Sequence, residues 1–278
     1  MKIVNVTKAH PTQDGAGVKI NRIAGFDGRS IDPFLMIDEL KSDNSQDFIG
    51  GFPAHPHRGI ETFTYIRKGG FEHQDQMGNK KAIRAGQVQW MSTGRGVIHS
   101  EMPLTDAQHG MHGFQIWLNM PAKNKLDPPK YQDSNDRILP SIVNESGAQL
   151  TALAGDWHFE GQRVSSGLND LSGGGAISDI MLPANSALQM DLSHFGKVVA
   201  YVHTGELKDQ YFKAGYAITL DPSHPIKLHG GDSESGILFL AGHPINEKIA
   251  HMGPFVMNTQ EELHQAVRDY HAGKFGNL

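Results

Sequence analysis

The chain of 278 residues contains no cysteine. That absence excludes disulfide scaffolds, thiolate zinc sites, iron–sulfur clusters and cysteine nucleophiles together. Long apolar runs are also missing. No stretch reaches the roughly 20 residues a membrane-spanning helix needs, and Met1-Lys2-Ile3-Val4-Asn5-Val6 does not read as a secretory signal. Neither sign of charge dominates: 25 Lys and Arg stand against 30 Asp and Glu, for a formal charge of −5. This balance argues against a nucleic-acid-binding surface or a basic membrane patch. The expectation is a soluble, cytoplasmic chain, or a nuclear one if its source is eukaryotic.

Helical periodicity is scarce as well. Glycine is plentiful, at 32 residues, and short apolar or alternating runs recur between Gly, Pro, Asn and Asp. Phe63–Ile66, Gln87–Met91, Phe114–Leu118, Val198–Val202 and Ile237–Leu240 are examples. Such runs predict an all-β sandwich or barrel. Gly69-Gly70 reads as a tight hairpin turn. The length suits two domains better than one. Leu126–Ser146, with Pro128-Pro129 and Pro140, reads as a linker, dividing the chain into domains 1–135 and 145–278.

The halves repeat a pattern. Thr64-Tyr65-Ile66-Arg67-Lys68-Gly69 precedes Ile83-Arg84-Ala85-Gly86-Gln87-Val88, and Ala200-Tyr201-Val202-His203-Thr204-Gly205 precedes Phe212-Lys213-Ala214-Gly215-Tyr216-Ala217. Two matches in the same order indicate an internal duplication. One helix is expected at the C-terminus. Thr259 and Glu262 form a capping box, Leu263, Ala266, Val267 and Tyr270 make one apolar face, and Gly273 ends it. It reads as a helix packed on the barrel exterior, without a functional signal.

The chemistry concentrates in two clusters. Residues two apart on a strand share a face. His55 and His57, separated by Pro56, would project together, and so would His99 and Glu101. Three imidazoles and a carboxylate would leave two positions open on an octahedral ion. Mixed nitrogen and oxygen ligation of this kind suits Fe(II), Mn(II), Co(II), Ni(II), Cu(II) or Zn(II). The second half supplies a control. Alignment on the repeat sets Asp191 and Ser193 opposite His55 and His57, and Leu228 and Gly230 opposite His99 and Glu101. The scaffold is kept there and the ligands are not. His203 and His229 read as satisfied or rim polar groups.

His55-Pro56-His57-Arg58-Gly59-Ile60-Glu61-Thr62 resembles the first metal-binding motif of the pirin family, in the cupin superfamily. Gln89-Trp90-Met91 and Gly94-Arg95-Gly96-Val97-Ile98-His99-Ser100-Glu101-Met102-Pro103 resemble the second. Gln115–Pro121 and Gly253–Thr259 resemble the strand that follows and the C-terminal signature. The resemblance spans essentially the whole chain. It implies a bicupin, two tandem double-stranded β-helix barrels with a C-terminal helix, and one mononuclear metal in the N-terminal barrel, usually Fe(II). It places the ligands on His55, His57, His99 and Glu101. Most metal cupins take their carboxylate from the first motif, here Glu61. In pirins it comes from the second, so Glu61 is expected beside the site or on the strand surface.

The resemblance also implies what the site does. Some pirin-like proteins are similar to flavonol dioxygenases acting on quercetin, which makes Glu101 the candidate base for the flavonol 3-hydroxyl proton. Other members resemble iron-dependent co-regulators that contact a protein partner in transcription or metabolism. A purely structural metal is disfavoured by the open positions. The chain is expected to be a monomer, with a small aromatic substrate or a protein partner, and with no nucleic-acid or membrane partner. Phe52, Trp90, Met91, Met102, Phe114 and Trp117 are candidates to line a flavonol pocket, and as alternating apolar positions of a barrel they read first as packing. Lys68, Lys80, Lys81 and Arg84 read as a solvated hairpin face.

Overall fold

The computed structural model describes residues 1–26, 31–106, 109–135, 137–209 and 212–278. The strands in chain order are β1 (Ile3–Lys8), β2 (His10–Asp14), β3 (Val18–Ala24), β4 (Phe34–Ser42), β5 (Phe52–His57), β6 (Ile60–Lys68), β7 (Gly70–Asp75), β8 (Lys80–Arg84), β9 (Val88–Ser92), β10 (Val97–Pro103), β11 (Met111–Asn119) and β12 (Lys130–Asp133). The second half carries β13 (Ser141–Val143), β14 (Gln149–Ala154), β15 (Asp156–Phe159), β16 (Gln162–Ser165), β17 (Ala176–Leu182), β18 (Ala187–Met190), β19 (Lys197–Thr204), β20 (Glu206–Leu207), β21 (Phe212–Lys213), β22 (Tyr216–Leu220), β23 (Ile226–His229) and β24 (Ser235–Gly242). A tail follows with β25 (Ala250–Met252), β26 (Phe255–Met257) and α1 (Gln260–His271). Every apolar run singled out in the sequence falls in a strand, apart from Gln87, which precedes β9.

Each half folds as an antiparallel barrel of two sheets. In the N-terminal barrel the larger sheet runs β12-β9-β6-β11-β4-β3-β2 and the smaller β5-β10-β7-β8. In the C-terminal barrel they run β1-β22-β19-β24-β17-β14-β13 and β16-β15-β18-β23. The central order β9-β6-β11-β4-β3 has its counterpart in β22-β19-β24-β17-β14, as a duplication requires. The bicupin architecture is therefore present, with its C-terminal helix. Among the described residues no helix is long and apolar enough to cross a membrane.

Three local expectations change. Gly69-Gly70 does not close a hairpin. β6 pairs with β9 and β11, while β7 pairs with β8 and β10, so this turn carries the chain from one sheet to the other. The Pro-rich stretch is not a structureless linker, because β12 pairs along β9 and β13 along β14. The compact units also do not coincide with a division at 135 and 145. Met1–Ala9 clusters with Ile138–Pro244, and Ile245–Leu278 clusters with Phe34–Arg137. β1 pairs with β22 at the edge of the C-terminal barrel's sheet. The tail and α1 belong to the N-terminal barrel.

The helix follows its capping signal. The Thr259 hydroxyl accepts from the Glu262 amide at 3.2 Å, and the Glu262 carboxylate accepts from the Thr259 amide at 2.8 Å. Leu263 and Ala266 pack with Phe255, Met257 and Phe275, and Ile98 of β10 lies against that cluster. Lys68, Lys80 and Arg84 are exposed and paired with Asp43, Glu72 and Asp106, as a solvated face would be.

Candidate metal centre

The pairing of β5 with β10 builds the site. Its register sets His55 opposite His99 and His57 opposite Val97. Between His99 and Glu101 the register shifts, so that Glu101 faces Phe52 and the single Ser100 faces both Pro53 and Ala54. This β-bulge re-aims one strand against the other, a device common beside functional sites.

His55, His57 and His99 come together, with ligand atoms within 4.8 Å of one another. His55 Nδ1 donates to the Pro53 carbonyl at 2.8 Å and His57 Nδ1 to the Pro254 carbonyl at 3.2 Å. Both bonds fix the tautomer that leaves Nε2 with a free lone pair, as in metal-ligating histidines. The Nε2 atoms of His55 and His99 stand 2.9 Å apart. Two nitrogens bound about 2.1 Å from one ion at right angles would be separated by roughly this distance. Burial, reinforced by the neighbouring imidazoles, holds His57 and His99 well below the usual imidazole range. They are therefore neutral, the form that binds a cation. Donor chemistry, tautomers and spacing all fit a first-row divalent ion.

Glu101 is the fourth member of the expected set, and its carboxylate stands within 4.8 Å of ligand nitrogens of His99 and His73. It is 4% exposed. Its Oε1 accepts from the Thr64 hydroxyl at 3.0 Å and its Oε2 from the Gln115 amide at 2.8 Å. Both carboxylate oxygens are thus held by neutral donors on the larger sheet. His73 is not a free ligand: Nε2 donates to Asp75 at 3.0 Å and Nδ1 accepts from Gln89 Nε2 at 3.0 Å. Its ring supports His99, with centroids 5.5 Å apart.

The donors come from one row of the larger sheet. Arg22, Asp38, Gln115, Thr64 and Gln89 lie directly opposite one another across β3, β4, β11, β6 and β9. Paired residues share a face, so this polar row crosses the sheet on its inner side. Thr64, Gln115, Asp38 and Arg22 line a cavity of about 590 Å³ together with His55, His57 and Glu101. Phe52, Phe71, Phe114, Trp117 and Met36 contribute its apolar wall. Its volume is that of a small-molecule site.

The tail locks the motif glycines and His57. Arg58 donates through Nε to the Arg95 carbonyl at 2.7 Å and through Nη1 to Asp269 of α1 at 2.8 Å, and its guanidinium lies 4.6 Å from the Phe275 ring centre. Lys125 donates to the carbonyls of Gly59 and Val256 and to the Asn119 side chain, at 2.6, 2.9 and 2.7 Å. Gly59 has φ +78°, and a Cβ there would strike the Val256 carbonyl. At Gly96 a Cβ would strike the Phe275 ring. Both motif glycines are glycines because the tail packs on them.

The remaining expected residues sort by sheet face. Glu61 lies opposite in parity to Thr62 and Thr64 and accepts from Trp90 Nε1 at 3.2 Å, away from the cavity. Trp90 and Met91 are buried and Met102 is exposed. Phe52, Phe114 and Trp117, read as packing, line the cavity. In the C-terminal barrel Asp191 and Ser193 are exposed beyond β18, and Leu228 is core. His203 is satisfied by Asp179 and Thr204, and His229 by Asp209. Sequence reasoning missed His73, Thr64, Gln115, Pro254 and Asp269. His73 and Asp75 share strand parity and so offered a signal. The Pro254 carbonyl offered none.

Comparison with known proteins bears on the family and the fold. The family model described as Pirin matches residues 17–118, and that described as Pirin C-terminal cupin domain matches residues 177–276. A Vibrio cholerae protein named "Putative quercetin 2,3-dioxygenase" is 44% identical over 99% of this chain and 97% of its own. A pirin-like protein of Caulobacter vibrioides is 35% identical over 98% of each. The crystal structure of a quercetin 2,3-dioxygenase from Acinetobacter baumannii superposes with a TM-score of 0.88 at 26% identity, covering 99% of this chain and 98% of that one.

Proposed function

The chain belongs to the pirin family, and from that premise we propose that its N-terminal barrel is a metal-dependent dioxygenase site for flavonols such as quercetin. His55, His57 and His99 would hold one divalent ion, Fe(II) by family likeness, with Glu101 as the carboxylate beside them. The observation that carries this reading is the convergence of three imidazoles, two of which, His55 and His57, line a cavity that also holds Glu101. Relatives named for quercetin cleavage supply the substrate class.

An ion held by His55, His57 and His99 would supply Lewis acidity that favours the ionised flavonol. The rest is done by side chains. Pro53 and Pro254 keep the Nε2 lone pairs of His55 and His57 available. Glu101 takes the 3-hydroxyl proton, and Thr64 and Gln115 hold its carboxylate ready to do so. The apolar wall keeps water from the ionised substrate. Cleavage by O2 places both oxygen atoms in the opened product and releases one ring carbon as carbon monoxide.

Oxygen uptake with quercetin tests this, comparing Fe(II)-reconstituted protein with His99→Ala. Uptake matched by carbon monoxide in the wild type and absent in the variant is expected. No uptake above the variant, with metal confirmed in the wild type, would overturn the dioxygenase reading.

A further inference from the structure

The inner polar row does not end at the groups that hold Glu101. It continues to Asp38 and Arg22, which line the same cavity. Two strand spacings, roughly 10 Å, separate Thr64 from Asp38, a span that linked aromatic rings cover. Arg22 Nε and Nη2 donate to Asp38 Oδ1 and Oδ2 at 2.7 and 2.6 Å, and Nη2 also reaches Asp14. Nη1 has no partner among the described residues. Asp38 is 5% exposed.

The fold does not require a charged pair at this place. On one side the next row is Ile66, Gly113 and Leu40, and on the other it includes Trp117 and Met36. A buried ion pair seldom stabilises a protein more than apolar residues of the same volume. The C-terminal barrel makes the point within the same chain, where the corresponding positions are Ser178 and Ala152. A charged pair kept between these flanking rows suggests a ligand that uses it.

We propose that Arg22 and Asp38 form the distal subsite of the cavity and select flavonols bearing a hydroxyl on the pendant ring. This rests on the flavonol reading above. Adjacent phenolic hydroxyls suit the pair in both directions: one O–H donates to the Asp38 carboxylate, and the oxygen of its neighbour accepts from Arg22 Nη1, which lies away from the Nε and Nη2 edge that holds Asp38. The pendant ring is joined beside the chelating 3-hydroxyl and turns about a single bond, so it can present a hydroxyl edge-on to the fork. A ring without hydroxyls leaves the buried Asp38 and the half-buried Arg22 without a ligand partner, and a site built around a hydroxyl discriminates strongly against its absence.

The test is calorimetric titration under argon of metal-loaded protein with quercetin and with its analogue lacking the pendant-ring hydroxyls. The analogue is expected to bind about 10- to 100-fold more weakly, the range for one or two hydrogen bonds to charged groups. In the double variant Arg22→Met, Asp38→Leu, quercetin should fall to the analogue's affinity while the analogue is unchanged. Asp38→Asn keeps the shape and should cut the discrimination even if the double variant fails to fold. Equal wild-type affinities, or discrimination that survives in either variant, would overturn the subsite. Binding of neither flavonol would instead remove the flavonol reading, and the subsite with it.

Discussion

The two barrels share a strand order and differ in what that order carries. In the N-terminal barrel the row through Thr64 reads Gln89, Thr64, Gln115, Asp38 and Arg22. In the C-terminal barrel the row through Ala200, the counterpart of Thr64 in the repeat, reads Ile218, Ala200, Phe239, Ser178 and Ala152. Four of those five belong to a single apolar core cluster. On the smaller sheets, His55 faces His99 in one barrel and Leu188 faces Leu228 in the other. The scaffold therefore does not specify the chemistry. A few inward positions decide whether a barrel interior is a polar cavity or a packed core.

Exchanging those inward residues gives the largest effects. His99→Leu should make the first barrel resemble the second. Bound metal is expected to fall from one ion per chain to none, with affinity weakened at least about 100-fold, beyond the loss usual for outlying partners of a metal ligand. Thermal stability should be retained. Metal analysis beside a melting curve checks both, and full metal content in the variant would contradict the assignment.

Removing the tail's hold on the first barrel comes next. Arg58→Ala empties a buried site and removes three contacts at once, to the Arg95 carbonyl, the Asp269 carboxylate and the Phe275 ring, and is expected to cost about 3–5 kcal/mol, read by denaturant unfolding. Arg58→Lys should recover part of it. An Arg58→Ala variant as stable as the wild type would separate the tail from the barrel energetically.

The reverse exchange is smaller. Leu188→His with Leu228→His buries two imidazoles without partners and should cost about 2–4 kcal/mol. No second metal is expected, because the C-terminal barrel's row offers no support like that of Thr64 and Gln115. A second bound ion would show that two facing histidines suffice.

The smallest effect is a pH slope. Burial lowers the Lys125 ammonium from 10.5 to about 8. Between these values the unfolded chain binds more protons than the folded one, so this group's contribution makes stability rise with pH. The stability difference between wild type and Lys125→Met should therefore grow in favour of the wild type from pH 8 to 10. A flat difference would mean that the three acceptors around Lys125 offset its burial.

Much of this was legible from local pattern. Apolar alternation located the strands, the capping box located α1, and the i, i+2 spacing picked out His55, His57, His99 and Glu101. The missing ligands of the C-terminal half were visible through Leu228 and Gly230. What escaped depends on register between distant segments. Arg22, Asp38, Gln115, Thr64 and Gln89 are unremarkable polar residues on five separate strands, and only pairing makes them a row. The exchange of β1 and the tail leaves no local mark, since an edge strand reads the same whichever sheet it joins. Asp269 carried no local signal, because its partner Arg58 lies 211 positions away.

The most direct test is anomalous diffraction from crystals of the metal-loaded protein, collected on both sides of the metal's absorption edge. One peak in the N-terminal barrel, within bonding distance of the Nε2 atoms of His55, His57 and His99, is expected, with none in the C-terminal barrel. A peak in the C-terminal barrel, or a metal held without these three histidines, would contradict the division of labour between the barrels.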